Sequence, residues 1–236
     1  MPRTRVLLEP GWVLATRSYR ESSRLLEVLT RSRGRVGIVA RGVSRPRSHW
    51  RGLLEAFQPL ALSWVVSGEL GTLTAAEALA PAVPLAGERI FLGWYLNELL
   101  LRLLARNDPQ PRIHAAYGET LPRLVGSGTG SAVAAALRGF EVELLAALGY
   151  GLPLPDGLDP RARYAWDPEQ GPAPADGEGG FSGAALVALR EGRYDEPATR
   201  REVQALLRMA IDRQLAGREL KSRRLLRAVR AGRGGT

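Results

Sequence analysis

The sequence RLLEVLTRSRGRVGIVARGV spans residues 24–43 and predicts a β-hairpin. Two runs of strand-forming residues flank Ser32-Arg33-Gly34, a short connection containing the glycine that tight hairpins favour. In the second run Val36, Ile38 and Ala40 alternate with Gly37, Val39 and Arg41, which predicts a half-buried strand with small residues interleaved. This hairpin anchors the interpretation of the first eighty residues.

Further strand-like stretches surround the hairpin. VLLEPGWVLATRS precedes it, and FQPLALSWVV and GTLTAAEALA follow it after a polar, arginine-rich loop from Val43 to Gly52. Five short strands with no helix between most of them predict a small closed barrel. We expect an oligonucleotide-binding (OB) barrel over residues 1–80, with an SH3-like barrel as the nearest alternative.

Beyond residue 80 the apolar residues recur at helical spacing, and Pro81–Gly87 is the expected domain boundary. The fold class is therefore predicted as α+β, with an N-terminal barrel and an all-α helical domain over residues 81–236. Residues 150–180, rich in proline and glycine, are predicted to be an irregular excursion, and GSGTG at 126–130 to be a linker. Helices are expected near Gly87–Arg106, Pro111–Val125, around Leu137–Leu148, Ser182–Arg190, Glu196–Leu215 and Arg218–Arg230.

The charge distribution narrows the class of partner. The chain has a formal net charge of +9, with +6 in residues 1–80, −2 in residues 81–160 and +5 in residues 161–236. This balance favours polyanionic partners, and nucleic acid before membrane. No stretch has the length of a membrane span or the pattern of a signal peptide, so a cytoplasmic location is expected.

The densest positive charge lies between Arg17 and Arg51, where ten arginines stand against Glu21 and Glu27. Guanidinium groups neutralise phosphates and stack on bases, and interleaved aromatic rings stack bases without reading their identity. The alternative is a solvated basic surface whose aromatic residues belong to the core. The predicted nucleic-acid contacts are Arg17, Tyr19, Arg20, Arg24, Arg31, Arg33, Arg35, Arg41, Arg45, Arg47, Trp50 and Arg51.

A second basic stretch runs from Arg208 to Arg233, with nine basic and two acidic residues. It predicts a second nucleic-acid surface or, as the alternative, one exposed basic helix face with a basic tail. The residues of this second surface are Arg218, Lys221, Arg223, Arg224 and Arg227.

Catalytic and metal-binding patterns are not recognisable in the sequence. The chain has no cysteine, and His49 and His114 each lack a neighbouring second ligand. Glu141 and Glu143 are two residues apart, so they point to different faces of a helix. Nucleophile-elbow and phosphate-loop motifs are absent. We therefore expect a protein that is not an enzyme and has no cofactor or metal.

Six collinear stretches, spanning nearly the whole chain, resemble the RecO family of bacterial recombination mediators. Three lie in the barrel, and the other three lie in the first, central and last predicted helices. They are Tyr19–Ser23 with Leu29-Thr30 and Gly34, Ala40–Val43 with Ser48, Gly68–Leu70 with Leu73-Thr74 and Glu77, Tyr95–Leu100, Arg138–Glu141 with Leu144–Leu152, and Leu220–Arg223.

The resemblance implies an OB fold followed by a helical domain, in a protein acting at the nucleoid. It implies binding of single- and double-stranded DNA, annealing of complementary strands, and partnership with RecR and with the acidic tail of single-strand-binding protein in support of recombinase loading. Many members carry a four-cysteine zinc module after the segment matching Gly149–Leu152. Here residues 150–180 contain neither Cys nor His, so that module is absent.

The acidic middle region holds the arginines that we expect to meet the acidic, apolar-ended tail. A groove between packed helices with a nearby guanidinium would suit such a peptide. The alternative is that these arginines pair with Glu98, Glu119, Glu141 and Glu143. The candidates are Arg102, Arg106, Arg112, Arg123 and Arg138, with Arg138 as the first choice.

One alternative function remains at this point. The chain could be a barrel–helix adaptor whose positive face meets acidic proteins rather than DNA. Competition by unrelated single-stranded DNA would separate the two functions.

Overall fold

The computed structural model describes residues 4–45, 47–125, 130–175, 177 and 179–233. The predicted hairpin and the other predicted strands and helices are confirmed in order and approximate position. The predicted linker at 126–130 lies outside the described residues except for Gly130. In chain order the elements are β1 Thr4–Tyr19, β2 Ser23–Thr30, β3 Gly34–Ala40, β4 Pro59–Ser67, β5 Leu70–Ala78, α1 Arg89–Leu103, α2 Pro111–Arg123, α3 Gly130–Ala147, β6 Arg163–Asp167, β7 Gly171–Pro174, β8 Phe181–Ser182, α4 Gly183–Arg190, α5 Arg200–Leu215 and α6 Lys221–Arg233.

The first five strands form a closed barrel with the order β1-β2-β3-β5-β4. The long strand β1 closes it, because its first half pairs with β4 and its second half with β2. Strands β3 and β5 pair in parallel. A five-stranded Greek-key barrel of this kind is an OB fold, so the predicted fold class is confirmed for the N-terminal region, in preference to the SH3-like alternative.

The barrel core explains why the sequence alternates as it does. Val13, Leu26 and Ile38 are fully buried inside the barrel, as period-two strands require. The β3–β4 connection adds Trp50 and Leu54 to the same core cluster. The β3–β4 connection therefore contributes side chains to the barrel core, while its arginine side chains are exposed to solvent.

Gly34 shows why the hairpin needs glycine. Its φ is +66°, and a Cβ atom there would lie 1.9 Å from the carbonyl oxygen of Asp108. The segment after α1 thus runs directly against the hairpin. Asn107 N–H donates to the carbonyl oxygen of Arg35 at 2.9 Å. Both backbone conformation and space exclude a side chain at this position.

The chain divides into two compact units, residues 1–125 with 220–236 and residues 126–219. We call them the barrel unit and the second unit. This grouping differs from the predicted division at residue 81, because α1, α2 and α6 belong with the barrel. Asn97 of α1 donates to the carbonyl oxygen of Leu14, and Tyr117 of α2 packs edge-on against Trp12. Independent folding of residues 1–80 stays a prediction.

The second unit contains α3, α4, α5 and a three-stranded sheet of order β7-β6-β8. The prediction that residues 150–180 form an irregular excursion was wrong, because β6 and β7 lie within this segment. Its strands are too short to show periodicity, and prolines occupy the edge strand β7. Side chains supply much of the cohesion: the Tyr164 hydroxyl accepts from Asp159 N–H at 2.9 Å, and Arg163 donates to the carbonyl oxygens of Gly179 and Gly180.

Candidate nucleic-acid interface

Two arginine-bearing connections meet at one end of the barrel. Ser44 N–H donates to the carbonyl oxygen of Ser22 at 3.2 Å, which ties the β3–β4 connection to the β1–β2 turn. Around this contact the side chains of Arg17, Arg20, Arg41, Arg45, Arg47 and Arg51 are exposed, and those of Tyr19 and Arg24 are half-buried. We call these eight residues the loop patch.

The aromatic residues predicted for this region have different roles. The Arg20 guanidinium lies 5.4 Å from the centroid of the Tyr19 ring, a cation–π contact at the patch surface. Trp50 is only 7% exposed and belongs to the barrel core, so its predicted role as a base-stacking residue was wrong. Exposed His49 covers Trp50, with 3.9 Å between ring centroids.

Arg35 is part of a structural ion-pair network rather than of an exposed surface. Its guanidinium donates to Glu27 Oε2 at 3.0 Å and to the carbonyl oxygen of Leu104 at 3.2 Å. Arg106 binds the other oxygen of the same Glu27 carboxylate. Both arginines therefore attach the segment after α1 to β2 and β3. Their guanidinium groups are engaged in this network, so the structure does not support the predicted contact of Arg35 with nucleic acid or of Arg106 with a partner tail.

Arg31 and Arg33 lie at the opposite end of the barrel from the loop patch. Strands β2 and β3 pair from Arg24↔Ala40 at the patch end to Thr30↔Gly34 at the hairpin end. Six residues at about 3.3 Å each separate the two ends by about 20 Å. The predicted contacts are thus distributed over two surfaces, not one.

A cavity of about 470 Å³ opens beside the hairpin end, in the barrel unit. Its lining is largely apolar, from Pro10, Pro111 and Ala115, with Arg31, Arg112 and His114 as the polar residues. Burial lowers the pKa of His114, against the opposing effect of Glu9. His114 is therefore neutral at pH 7, and the positive charge at the cavity comes from Arg31 and Arg112.

The other arginines of the predicted partner set are dispersed. Arg102 approaches Glu98 at 3.8 Å on α1, and Arg123 is exposed at the end of α2. Arg138 lies in the second unit, where its guanidinium donates to Glu141 at 2.9 Å. Its side chain is 12% exposed, so the predicted ion-pair alternative holds for this residue. Of the five arginines, Arg112 is the one that lines the cavity.

The C-terminal basic helix begins at Lys221 rather than Arg218. Arg218 belongs to the second unit, where its Nε donates to the carbonyl oxygen of Leu215 beyond the end of α5. The remaining predicted residues of the second surface, Lys221, Arg223, Arg224 and Arg227, lie on α6 in the barrel unit. Three of these four, all but Arg223, are exposed.

The division into units separates the charges more sharply than the sequence thirds do. The barrel unit carries 23 of the 33 basic residues but 10 of the 24 acidic residues. The second unit therefore has a negative formal charge. Helix α6 accounts for much of this difference, because residues 220–236 contain six basic residues and no acidic residue.

Several residues that organise the site are not detectable from local sequence. Glu27 binds two arginines, and Glu98 of α1 accepts hydrogen bonds from Lys221 and Ser222, more than 120 residues later. Asn97 and Tyr117 form a buried hydrogen-bonded pair. Each of these contacts joins segments that are far apart in the chain or pairs side chains on different elements, so a local sequence pattern does not indicate it.

In the part of the chain that the structure describes, no helix is long and apolar enough to cross a membrane. Among the same residues, no three His, Asp or Glu side chains are grouped closely enough to hold a metal ion.

An N-terminal OB barrel with exposed arginines on its connections, joined to helices, places the chain in the class of α+β proteins built on an OB barrel. Two family models cover nearly the whole chain: "Recombination protein O N terminal" matches residues 5–82, and "Recombination protein O C terminal" matches residues 85–224. The chain therefore belongs to the RecO family.

Curated relatives of high similarity carry the name "DNA repair protein RecO". The relative from Dechloromonas aromatica is 42% identical over 236 residues, which cover 96% of this chain and 98% of the relative. That from Methylococcus capsulatus is 41% identical, over 95% of each chain. That from Alkalilimnicola ehrlichii is 44% identical, over 97% of this chain and 94% of the relative.

Proposed function

We propose that this protein acts in DNA repair as a non-enzymatic DNA-binding protein, and that the loop patch is its main DNA contact. The observation that carries the proposal is the hydrogen bond between Ser44 and Ser22, which holds two arginine-bearing connections together. Six exposed guanidinium groups at one barrel end can neutralise successive phosphates, and Tyr19 offers a ring on which a base can stack. Such contacts suit single- and double-stranded DNA alike, because they do not use base edges.

We further propose that the protein anneals complementary strands and helps to load the recombinase onto DNA coated with single-strand-binding protein. Neutralising the phosphates of two strands lowers the repulsion between them, and it consumes no nucleotide. Stacking keeps bases unpaired and accessible until a complementary strand arrives. The names of the relatives, with their stated role in DNA repair, support this place for the chain.

The test is an annealing assay with two complementary, fluorescently labelled oligonucleotides in EDTA and without nucleotide. We expect the protein, at a stoichiometric concentration, to raise the annealing rate by about an order of magnitude at about 50 mM salt. This effect should disappear as the salt concentration rises. A requirement for both ATP and magnesium in the isolated protein would contradict the proposal. If an acidic protein displaces the labelled DNA but unrelated single-stranded DNA does not, the adaptor function would replace it.

The partner proposals are RecR and the acidic tail of single-strand-binding protein, and the cavity beside Arg112 is our candidate site for the tail. An acidic peptide that ends in an apolar residue needs an apolar lining with guanidinium groups at its edge. Pro10, Pro111 and Ala115 provide the lining, and Arg31 and Arg112 provide the charge.

A fluorescent tail peptide titrated against the full chain tests the tail site. Arg112→Glu is expected to weaken binding at least tenfold, roughly, because it reverses a charge at the cavity. Arg123→Glu is the matched control, since it makes the same change at the other end of α2. Equal loss in both variants would show a long-range charge effect, and unchanged binding in Arg112→Glu would exclude the cavity.

A further inference from the structure

The last helix, α6, belongs to the barrel unit although residues 104–220 separate it from its neighbour α1. It packs against α1, and Leu220 immediately before it is only 2% exposed. Polar contacts supplement this apolar packing, because side chains from two successive turns of α1 bind the first residues of α6.

The first of these contacts is the carboxylate of Glu98, which caps the start of α6. Glu98 Oε1 accepts from Lys221 N–H at 3.0 Å, and Oε2 accepts from Ser222 N–H at 2.9 Å and from the Ser222 hydroxyl at 2.7 Å. The first N–H groups of a helix have no partner within the helix, and they carry the positive end of its dipole. A side chain from α1 thus performs the task that an N-cap residue of α6 would otherwise perform.

The protonation state of Glu98 agrees with this role. Burial alone would raise the pKa of Glu98, but the hydrogen bonds from Ser222 and Lys221, together with the charge of Arg102, outweigh it and lower the pKa below its ordinary value. Glu98 is therefore ionised at neutral pH, so the cap is a charge-assisted contact.

The second contact is made one turn earlier on α1. The Arg223 guanidinium lies over the ring of Tyr95, 5.2 Å from its centroid, and donates to the Tyr95 hydroxyl at 3.2 Å. Together, Glu98 and Tyr95 fix both the start and the rotation of α6. The rotation decides which of its side chains point to solvent.

The exposed side chains of α6 include three basic ones, beside the apolar side chains of Leu225, Ala228 and Ala231. Lys221, Arg224 and Arg227 are all exposed, and a spacing of three residues brings them onto the same side of the helix. No acidic residue lies between Leu220 and the end of the chain. A rigid row of cations at this spacing matches a phosphate backbone better than a scattered set of charges does.

We infer that α6 forms a second DNA-contacting arm of the barrel unit, and that Glu98 is the positioning residue that holds this arm in place. The inference rests on the proposed function, because it assumes that the barrel unit binds DNA. It assigns to an acidic residue a favourable effect on the binding of a polyanion.

This assignment reverses the sign expected from charge alone. Glu98→Gln raises the net charge of the protein by one, so ordinary electrostatics predicts tighter DNA binding. A glutamine presents an N–H₂ group to the donors of Lys221 and Ser222, so the cap fails and α6 loses its fixed position. We expect Glu98→Gln to weaken binding to a labelled single-stranded oligonucleotide about fivefold at 0.1 M salt, the contribution of about one phosphate contact.

Glu119→Gln is the matched control. Glu119 is exposed on α2, in the same unit, and its replacement makes the same charge change without touching α6. We expect this variant to bind DNA as tightly as the parent or slightly more tightly. Tighter binding by both variants would overturn the positioning role of Glu98.

The arm itself is tested by Arg224→Gln combined with Arg227→Gln, which leaves Glu98 and its cap intact. Two lost phosphate contacts should weaken binding about 25-fold at 0.1 M salt and reduce the slope of log affinity against log salt by about 1.4. In this background Glu98→Gln should have a smaller effect than in the parent protein, because the arm that it positions has lost two of the three cations of its exposed face. Additive losses would overturn the inference.

Amide hydrogen exchange distinguishes release of α6 from general unfolding. Glu98→Gln should raise exchange in residues 221–229 and leave the barrel strands protected. If exchange rises throughout the barrel, Ser222→Ala replaces Glu98→Gln as the test variant. Ser222→Ala removes one of the three hydrogen bonds to Glu98, so it should weaken DNA binding in the same direction but by less. Unchanged binding in Ser222→Ala and in the double arginine variant would reject the arm, whereas loop-patch variants report separately on the proposed function.

Discussion

Replacing Arg17 and Arg20 together by alanine is expected to weaken binding to single-stranded DNA about 25-fold at 0.1 M monovalent salt. Each phosphate contact to a single strand contributes about 0.7 to the salt slope, so the loss of two contacts should reduce that slope by about 1.4. Both side chains are exposed at the end of the β1–β2 hairpin, and neither forms part of the barrel core. Fluorescence anisotropy of a labelled oligonucleotide, measured over a salt series, gives both quantities.

Two further double variants make this experiment specific. Arg45→Ala with Arg47→Ala removes two arginines from the other connection of the loop patch, and it should have a similar effect. Arg200→Ala with Arg201→Ala makes the same charge change at the exposed start of α5 in the second unit. That control should bind like the parent protein. If both loop-patch variants keep the parent affinity at low salt, the loop patch is not the DNA contact.

The sequence predicted the strands and helices better than it predicted which surface residues are exposed or paired. Strand and helix periodicity reports which side chains face the core, and the core is what determines these elements. The burial of Val36, Ile38 and Ala40 was therefore predictable from their alternation, but Gly37 and Val39 of the same strand are also buried, so the predicted half-buried strand was wrong. The position of Gly34 was predictable as a turn, but its contact with Asp108 was not, because that contact joins segments more than seventy residues apart.

The arginines of the candidate site could not be sorted by sequence. Arg33 and Arg35 are two residues apart and chemically identical, but the first is exposed and the second binds Glu27. The difference comes from α1 and the segment after it, which cover one side of the barrel. A count of positive charges predicted a region, and the structure shows which of its arginines are exposed and which are paired.

Residues 150–180 were misinterpreted for a related reason. Strands of two to five residues cannot display an alternating pattern, and glycines and prolines indicate loops when they occur without such a pattern. The sheet of β6, β7 and β8 is instead held by individual contacts, such as the hydrogen bond from Asp159 N–H to the Tyr164 hydroxyl. Contacts of this kind have no periodic signature in a sequence.

The attachment of the helices to the barrel depends on a buried polar chain that joins α2, α1 and β1. The Tyr117 hydroxyl donates to Asn97 Oδ1 at 2.5 Å, and Asn97 Nδ2 donates to the carbonyl oxygen of Leu14 at 2.8 Å. Tyr117 is fully buried, and Asn97 is 3% exposed. Burial raises the pKa of the Tyr117 hydroxyl, so the hydroxyl is a protonated donor at neutral pH.

Asn97→Ala is therefore expected to lower the free energy of unfolding of the barrel unit by about 2–4 kcal/mol, the second large effect that we predict. The substitution leaves both the Tyr117 hydroxyl and the carbonyl oxygen of Leu14 buried without their partner, and each unsatisfied group costs about 1–3 kcal/mol. Tyr117→Phe removes only one hydrogen bond, and it should lower the free energy of unfolding by about 1–2 kcal/mol.

Urea denaturation followed by tryptophan fluorescence measures these losses, in a Trp166→Phe background. Four of the five tryptophans lie in the barrel unit and Trp166 lies in the second unit, so this background reports on the barrel unit alone. Tyr19→Phe is the matched control, because Tyr19 lies in the barrel unit, is only half-buried, and its hydroxyl should contribute less than about 0.5 kcal/mol. An Asn97→Ala variant as stable as this control would mean that apolar packing, rather than the polar chain, attaches α1 and α2 to the barrel.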